Sequence, residues 1–260
     1  MLFRSSGERN HLPTAAMTRP ILLLVLLLCC SSGGGGALPP PPPPPPPGDG
    51  LRIVMLGNSL TNSNDLAAMI SELATSVGLP QPAVLPFAYG NWSLEEHWNT
   101  ASSMAAVANP ATDVVVMQQG PSTLPSSGAH LTEFTGRILT ALAPGARAGM
   151  YVVWPEVGGN FDGGLGNYVA TANAHNTAIY PVGHAIRAVL QDHPEVSVLG
   201  GDNFHPSVAG TWLAAIVITS VIYDRDPTTM PNIRPALIPT AWEAPLRNAA
   251  KAGITAYGRR

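Results

Sequence analysis

Short apolar runs alternate with helical segments along residues 51–223, and this alternation restricts the possible folds most. The runs are LRIVML (51–56), AVLPF (83–87), DVVVMQ (113–118), MYVVW (150–154) and VSVLG (196–200). Apolar spacing predicts the intervening helices over 65–78, 94–108, 129–143, from the Gly-rich segment 158–167 to about residue 191, and over 207–223. Short continuous apolar runs are typical of strands buried on both faces. We therefore predict an α/β fold with a five-stranded, mainly parallel sheet covered on both faces.

The first thirty residues have the composition of an export signal. Arg19 precedes the apolar run ILLLVLLLCC (21–30), and the small residues SSGGGGA follow. The ten-residue run is too short to span a bilayer, so we expect residues 1–30 to direct export. Two alternatives stay open: an ordinary cleaved signal, or a lipoprotein signal in which Cys29 or Cys30 is lipidated and tethers the protein to a membrane. Either alternative predicts an exported protein, secreted or lipid-anchored at the cell envelope.

Residues 31–50 are predicted to be a linker, because they are rich in Gly, Ser and Pro and include nine consecutive prolines at 39–47. A polyproline II helix of that length would span about 28 Å. Residues 51–225 then form the predicted domain, and residues 226–260 a Pro-rich C-terminal extension with a short helix. Both cysteines precede the linker, so no intrachain disulfide is expected in the domain.

The charge of the chain argues against nucleic acid as a partner. The net charge is -3, and only 13 residues are Lys or Arg. Binding to a phosphate backbone requires a cluster of basic residues. The sequence contains no such basic patch, so no nucleic-acid partner is expected.

Polar residues follow four of the predicted strands, at the sheet edge where parallel α/β proteins bind ligands. The segments are GNSLTNSND, YGNWSLEEHW, QQGPST and GDNFHPS, after the first, second, third and fifth runs. Ser59, in GNSLT, sits where a glycine lets the chain turn sharply into a helix, which suits a nucleophile. The alternative is that Ser59 belongs to a helix N-cap region.

Asp202 and His205 could supply the base that a serine nucleophile requires. A serine hydroxyl reacts poorly until a base removes its proton, and that base needs an orienting acceptor on its other nitrogen. Because the two residues are three positions apart on one short turn, the carboxylate can orient the imidazole while Pro206 and Ser207 begin the next helix. A plain surface turn is the alternative, because Gly, Asp, Asn and Pro are the usual turn formers.

GNSLT (57–61) and the D-x-x-H-P block at 202–206 together resemble the SGNH, or GDSL-like, hydrolase superfamily of esterases and lipases. The resemblance covers about residues 51–224. It implies a flavodoxin-like three-layer α/β/α sandwich, no metal or other cofactor, and an acyl-enzyme mechanism. In that mechanism Ser59 is the nucleophile, His205 the base and Asp202 its orienting group. The resemblance also makes the Gly90 N–H an oxyanion donor, with a plain turn as the alternative.

The third block departs from the family. The family's G-x-N-D would fall on GPST (120–123), so its asparagine donor is missing, while QGPS is similar to the QGES of some sialate and acetylxylan esterases. We expect Gln119, and after it Gln118, to donate to the oxyanion instead; the alternative is that both amides tie loops together. Asn58, where the family usually has aspartate, is expected to affect rate more than mechanism.

The resulting functional hypothesis is an exported serine esterase that hydrolyses a small ester, such as an O-acetyl or short acyl group on a carbohydrate. The alternative is a non-catalytic carbohydrate- or partner-binding domain that retains the fold. Surface or core roles are expected for the histidines at 97, 130, 175, 184 and 193, which show no metal-ligand spacing. Trp92, Trp98 and Trp154 are expected in the core or lining a substrate pocket.

Overall fold

Five parallel strands form the central sheet of the computed structural model, which describes residues 49–231 and 233–258. The strands are β1 (Arg52–Gly57), β2 (Ala83–Ala88), β3 (Val114–Met117), β4 (Arg147–Tyr151) and β5 (Ala178–Tyr180). Their order is β2-β1-β3-β4-β5, and each neighbouring pair is parallel. This is the strand order of flavodoxin-like proteins. The predicted fold class, a three-layer α/β/α sandwich around a five-stranded parallel sheet, is confirmed.

Two groups of mutually contacting helices cover the sheet: α2, α7, α8 and α9 in one, and α3, α4, α5 and α6 in the other. The helices are α1 (Ser59–Asn62), α2 (Leu66–Ser76), α3 (Leu94–Trp98), α4 (Ala101–Val107), α5 (Pro125–Leu139), α6 (Phe161–His175), α7 (Val182–Asp192), α8 (Val208–Tyr223) and α9 (Glu243–Tyr257). No helix in the described part of the chain has both the length and the apolar character to cross a membrane.

The most buried elements are the central strands and α8. All of β3 and residues 53–57 of β1 are buried, since helices cover both faces of the sheet. Residues 209–222 of α8 are buried on every side, because α2, α7 and α9 surround this helix. A helix that is apolar all round belongs to the core. The loop that precedes α8, with Asp202 and His205, is therefore attached to one of the most buried helices of the domain.

The fifth strand is not where the sequence predicts it. VSVLG (196–200) is outside the sheet and makes only an isolated bridge between Leu199 and Pro206, while β5 lies within the stretch predicted as one long helix. Asn176, in a left-handed conformation with φ 51°, ends α6, and Pro181 stands at the start of α7. Those two residues leave space for a three-residue strand, too short to show its own periodicity.

Other boundaries also differ from the prediction. β4 begins three residues before the predicted run at 150–154, and the segment 94–108 forms two short helices instead of one. The helix predicted as short in the C-terminal extension is the 15-residue α9, which packs on α7 and α8. The predicted export signal, and the linker up to residue 48, lie outside the described residues.

Candidate active site

Ser59, His205 and Asp202 form a continuous chain of hydrogen bonds. The His205 Nε2 atom lies 2.8 Å from Ser59 Oγ, and His205 Nδ1 lies 2.6 Å from Asp202 Oδ2. A carboxylate only accepts hydrogen bonds, so Nδ1 carries the proton in the neutral ring and Nε2 accepts from the Ser59 hydroxyl. The three residues singled out from the sequence are thus brought together in the arrangement that activates a serine.

The Asp202 carboxylate is held ionised by the loop around it. Its hydrogen bond with His205, followed by that from the Phe204 N–H, lowers the pKa of Asp202 to about 2. Asp202 Oδ1 accepts from the backbone N–H groups of Phe204 and His205, at 3.1 and 3.0 Å. The loop folds around the charge that orients the imidazole, a local arrangement that the three-residue spacing allows.

Further hydrogen bonds close this loop on itself and attach it to the domain. The Gly200 N–H donates to His205 O (2.7 Å), the Ser207 N–H donates to Val198 O (3.0 Å), and the buried Trp154 indole donates to Phe204 O (2.9 Å). Trp154 therefore has a core position and holds the loop from beneath. These bonds hold the backbone of the loop that carries His205 in place beside Ser59.

Ser59 is the first residue of α1, directly after the turn at the end of β1. Asn58 caps this helix: its Oδ1 accepts from the Leu60 N–H (3.1 Å), and its Nδ2 donates to Trp92 O (3.1 Å). Asn58 therefore links the serine turn to the loop after β2. The backbone N–H of Ser59 is at the first helical position, where no intrahelical acceptor exists.

His97 supports the same turn from inside the domain. It is fully buried, with Nε2 2.9 Å from Gly57 O and Nδ1 3.1 Å from Ser103 Oγ. Burial lowers the pKa of His97, because desolvation disfavours the charged ring. The neutral ring fits both contacts by donating to the Gly57 carbonyl and accepting from Ser103. The expected core role for this histidine agrees with the structure.

Gln118, the second-choice oxyanion donor, has a different position. Its Oε1 accepts from the Asn58 N–H (2.9 Å) and from Thr61 Oγ1 (2.8 Å), and its Nε2 donates to Asn58 Oδ1 (3.0 Å) and to the Gln119 carbonyl. The side chain is fully buried, with both N–H bonds directed to protein acceptors. Gln118 therefore connects the serine turn to the end of β3, as the alternative of a loop-binding amide predicts. Its N–H groups are not available to an oxyanion.

Gln119 is turned towards the cleft beside Ser59. Its Oε1 accepts from the Leu94 N–H (3.3 Å), and one Nε2–H donates to Ser122 Oγ (2.9 Å). Ser122, which stands where the family has its asparagine donor, has a left-handed φ of 51° and also donates to Gly120 O (3.2 Å). Gln119 therefore ties loops together, yet its amide has a second N–H and lines the cleft.

Gly90 lies in a turn, with the Trp92 N–H donating to Tyr89 O at 3.2 Å. The Gly90 N–H has no acceptor within residues 49–231 and 233–258, and a Cβ placed on this glycine would meet nothing within 4 Å. The turn alternative is therefore correct for the backbone. It leaves a free N–H beside open space, as an oxyanion donor requires.

A cleft of about 630 Å³ opens at Ser59. Most of the residues that line it have polar, uncharged side chains, and Trp92, Pro121 and Phe204 are its larger apolar members. The lining consists of Asn58, Ser59, Asn91, Trp92, Ser93, Gln119, Gly120, Pro121, Ser122, Ser126, Ser127, His130 and Phe204. The sequence analysis gave no site role to Ser93, Ser126 and Ser127, and expected His130 at the surface or in the core, whereas all four line the cleft. All of them follow the ends of β2 and β3, within the same loops or the helices that begin there.

The structure describes no close group of three or more His, Cys, Asp and Glu side chains suited to a metal ion. At the cleft, the groups that can act on a bound molecule include the Ser59 hydroxyl, the His205 ring and the donors beside them. Together they can attack a carbonyl and transfer a proton.

Solved structures with the same fold include several ester hydrolases. A protein of the DUF4886 family from Bacteroides uniformis matches with a TM-score of 0.68 and 19% identity, over 80% of this chain and 95% of that chain. A lipase/acylhydrolase from Enterococcus faecalis matches with a TM-score of 0.54 and 16% identity, over 66% of this chain and 95% of that one. A variant of an acetyl xylan esterase from Geobacillus stearothermophilus gives 0.54 and 16%, over 68% and 96%.

No family model matches the chain, and no curated protein matches its sequence. The identities to the solved structures are low, so these similarities establish the fold. They confirm that this chain shares its fold with esterases and lipases, as the sequence blocks predict.

Proposed function

We propose that this protein is a serine hydrolase that cleaves small carboxylic esters. The observation that carries the proposal is the hydrogen-bonded chain Ser59–His205–Asp202, whose serine lines the cleft. The fold shared with a lipase/acylhydrolase and an acetyl xylan esterase supports the same reaction class.

In the proposed reaction, Ser59 Oγ attacks the ester carbonyl carbon while its proton passes to His205 Nε2. Collapse of the tetrahedral intermediate breaks the bond to the alcohol oxygen, which leaves with the proton from His205. Water then attacks the acyl-serine, with His205 again as the base, and releases the carboxylic acid and free Ser59. The Asp202 carboxylate stays ionised throughout and stabilises the imidazolium that forms in each half-reaction.

The negative oxygen of the intermediate needs preorganised donors, each contributing about 3–4 kcal/mol to transition-state stabilisation. The backbone N–H groups of Ser59 and Gly90 and the second N–H of Gln119 are our candidates. All three belong to segments that follow strand ends and meet at the cleft. Ser122 stands at the family's asparagine position, but its hydroxyl is engaged by Gln119 and Gly120.

The cleft favours a short acyl group on a polar alcohol, such as an O-acetyl group on a carbohydrate. A long acyl chain would need an extended apolar lining, whereas serine, asparagine and glutamine side chains form much of this cleft. Trp92 also lines the cleft, and an aromatic side chain can pack on the apolar face of a sugar. The name of one solved structure, an acetyl xylan esterase, is consistent with this class.

A non-catalytic binding domain is the second candidate, motivated by the missing asparagine in the third block. Fluorophosphonate labelling separates the two, because only an activated serine reacts with the probe. We expect wild type to be labelled and to hydrolyse p-nitrophenyl acetate, and Ser59→Ala and His205→Ala to lose both properties. The control variant Ser102→Ala, on α4, should be labelled like wild type. An unlabelled wild type without esterase activity would favour the binding domain.

We also propose that the protein is exported, on the basis of the apolar run at 21–30 and its flanking residues. Fractionation and mass spectrometry of the mature N-terminus test this proposal. A chain that begins at Cys29 or Cys30 with added acyl mass would establish a lipid tether. A chain that begins at another site after the apolar run would establish a cleaved signal, and an unprocessed chain in the cytoplasm would contradict export.

A further inference from the structure

Most of the cleft must hold the alcohol part of an ester rather than its acyl part. The acetyl or short acyl group proposed above has only a few non-hydrogen atoms, whereas the cleft has a volume of about 630 Å³ and extends from Ser59 to His130 on α5. The residues that decide which alcohol is accepted should therefore lie on the wall of the cleft that contains His130.

His130 is held in one orientation by a carboxylate. Its Nε2 lies 3.0 Å from Glu95 Oε2, a contact that joins α5 to α3, and its ring packs at 4.6 Å from the ring of Phe134. The carboxylate can only accept, so Nε2 carries the proton. The other ring nitrogen, Nδ1, is then the acceptor of the neutral ring. It makes no hydrogen bond within the described part of the chain.

Two serine hydroxyls lie on the same helix face as His130. Ser126 and Ser127 precede it by four and three residues, so the three side chains occupy neighbouring positions on the surface of α5. All three line the cleft, and neither serine hydroxyl has a protein partner in the described residues. This wall offers an oriented acceptor beside hydroxyls that both donate and accept, which suits a ligand that carries several hydroxyl groups.

We propose that His130, oriented by Glu95, binds a hydroxyl group of the alcohol part of a polyhydroxylated ester, and so determines which alcohol the enzyme accepts. The inference rests on the proposed ester hydrolysis at Ser59. His130 acts in substrate binding and takes no part in the proton transfers between Ser59 and His205.

The test compares two kinds of acetate ester that differ in their alcohol part. One is p-nitrophenyl acetate, which has no hydroxyl on its alcohol part, and the other is a set of mono-O-acetylated methyl glycosides. We expect His130→Phe to raise KM for the glycosides about tenfold, the effect of losing one or two hydrogen bonds, with little change in kcat. Its kcat/KM for p-nitrophenyl acetate should stay within about twofold of wild type, the range of a negligible interaction change.

Two further variants and a control complete the experiment. His130→Gln, which keeps an acceptor, should recover much of the glycoside affinity, and Glu95→Ala should raise KM for the glycosides less than His130→Phe does. The matched control is His193→Phe. It breaks a similar histidine–glutamate contact of 3.3 Å to Glu195, at the end of α7, away from the cleft lining. With this control variant, KM and kcat for both substrates should stay as in wild type.

The outcomes separate this inference from the proposed function. The binding role of His130 would be overturned if His130→Phe lowers kcat/KM equally for both substrates, or if it leaves kcat/KM for the glycosides unchanged. Wild type that hydrolyses p-nitrophenyl acetate but none of the glycosides would overturn the choice of a polyhydroxylated alcohol while leaving ester hydrolysis intact. Wild type that hydrolyses neither ester and resists fluorophosphonate would instead remove the proposed function.

Discussion

Gly210→Ala should damage both stability and catalysis, because α8 passes very close to the loop that carries His205. A Cβ at Gly210 would lie 2.0 Å from Val198 O and 3.2 Å from Pro206 Cβ. Val198 O also accepts from the Ser207 N–H, so the carbonyl cannot turn away without losing that bond. Relieving the contact requires a backbone shift of about 1 Å. Such overpacking costs about 1–3 kcal/mol, of which better helix propensity offsets up to about 1 kcal/mol.

The same shift would displace His205, which is adjacent to Pro206, and a misplacement of about 1 Å can cost on the order of 100-fold in rate. We expect Gly210→Ala to lower the free energy of unfolding by about 1–2 kcal/mol, measured by urea denaturation, and kcat for p-nitrophenyl acetate by 10- to 100-fold on that estimate. Gly166→Ala is the control, a glycine within α6 whose added Cβ meets nothing within 4 Å. It should stabilise the protein by about 0.5–1 kcal/mol. If both variants gain stability and keep full kcat, the proposed anchoring of the loop is wrong.

Three further predictions concern contacts around and away from the site. Gln118→Leu leaves the buried Asn58 N–H without its acceptor and should lower the free energy of unfolding by about 1–3 kcal/mol in urea denaturation. An unchanged denaturation midpoint would show that the hydrogen bond between Asn58 and Gln118 does not stabilise the domain. Because the folded pKa of Asp202 is about 2, below its ordinary value of 3.8, its stabilising effect should be complete above that ordinary value and disappear as pH falls towards 2. The stability difference between wild type and Asp202→Asn, measured against pH, should follow this course, and a difference that grows in acid would refute it. Arg247→Met removes the buried guanidinium that pairs with the partly buried Glu243 and donates to the carbonyls of Pro227 and Pro231. It should lower the free energy of unfolding by about 1–3 kcal/mol in thermal or urea unfolding while leaving kcat unchanged at low temperature; equal stability would show that these bonds contribute nothing.

The strands that could be predicted are those that form an uninterrupted apolar run. β1 and β3 do so because helices cover both faces of the sheet and bury them almost completely. β2 is an edge strand in which only Leu85 and Phe87 are buried, yet its residues are also apolar throughout. β5 has only three residues between Asn176 and Pro181, within a stretch whose apolar spacing also fits a helix. VSVLG is as apolar as a strand, yet it lies against α8, with only Val196 and Val198 fully buried, instead of pairing with the sheet. Burial alone therefore did not decide the hydrogen-bonding partner of a short run.

The candidate site was predictable where it is local in sequence. Asp202 and His205 share one turn, so their contact follows from spacing alone. The amides of Gln118 and Gln119 could not be separated in this way, because successive residues leaving a strand point to opposite sides. Gln118 is directed into the domain and Gln119 into the cleft. The wall with His130 needs the packing of α5 against α3, which no local pattern encodes.

The contact between Ser59 and His205 depends on two separate anchors, and a double variant can show their independence. Gln118 ties the serine turn to β3, whereas the close approach at Gly210 positions the histidine loop on α8, and the two anchors share no hydrogen-bond partner. For stability, the effects of Gln118→Leu and Gly210→Ala should therefore add within about 0.5 kcal/mol in urea denaturation. The two losses of kcat should not add, because either displacement already lengthens the same Ser59–His205 hydrogen bond. The second displacement then has little of that interaction left to weaken. We expect the double variant to be only slightly slower than the slower single variant. A kcat loss equal to the product of the two single losses would mean that the variants act on different steps, and that one of the two anchors does not position this pair.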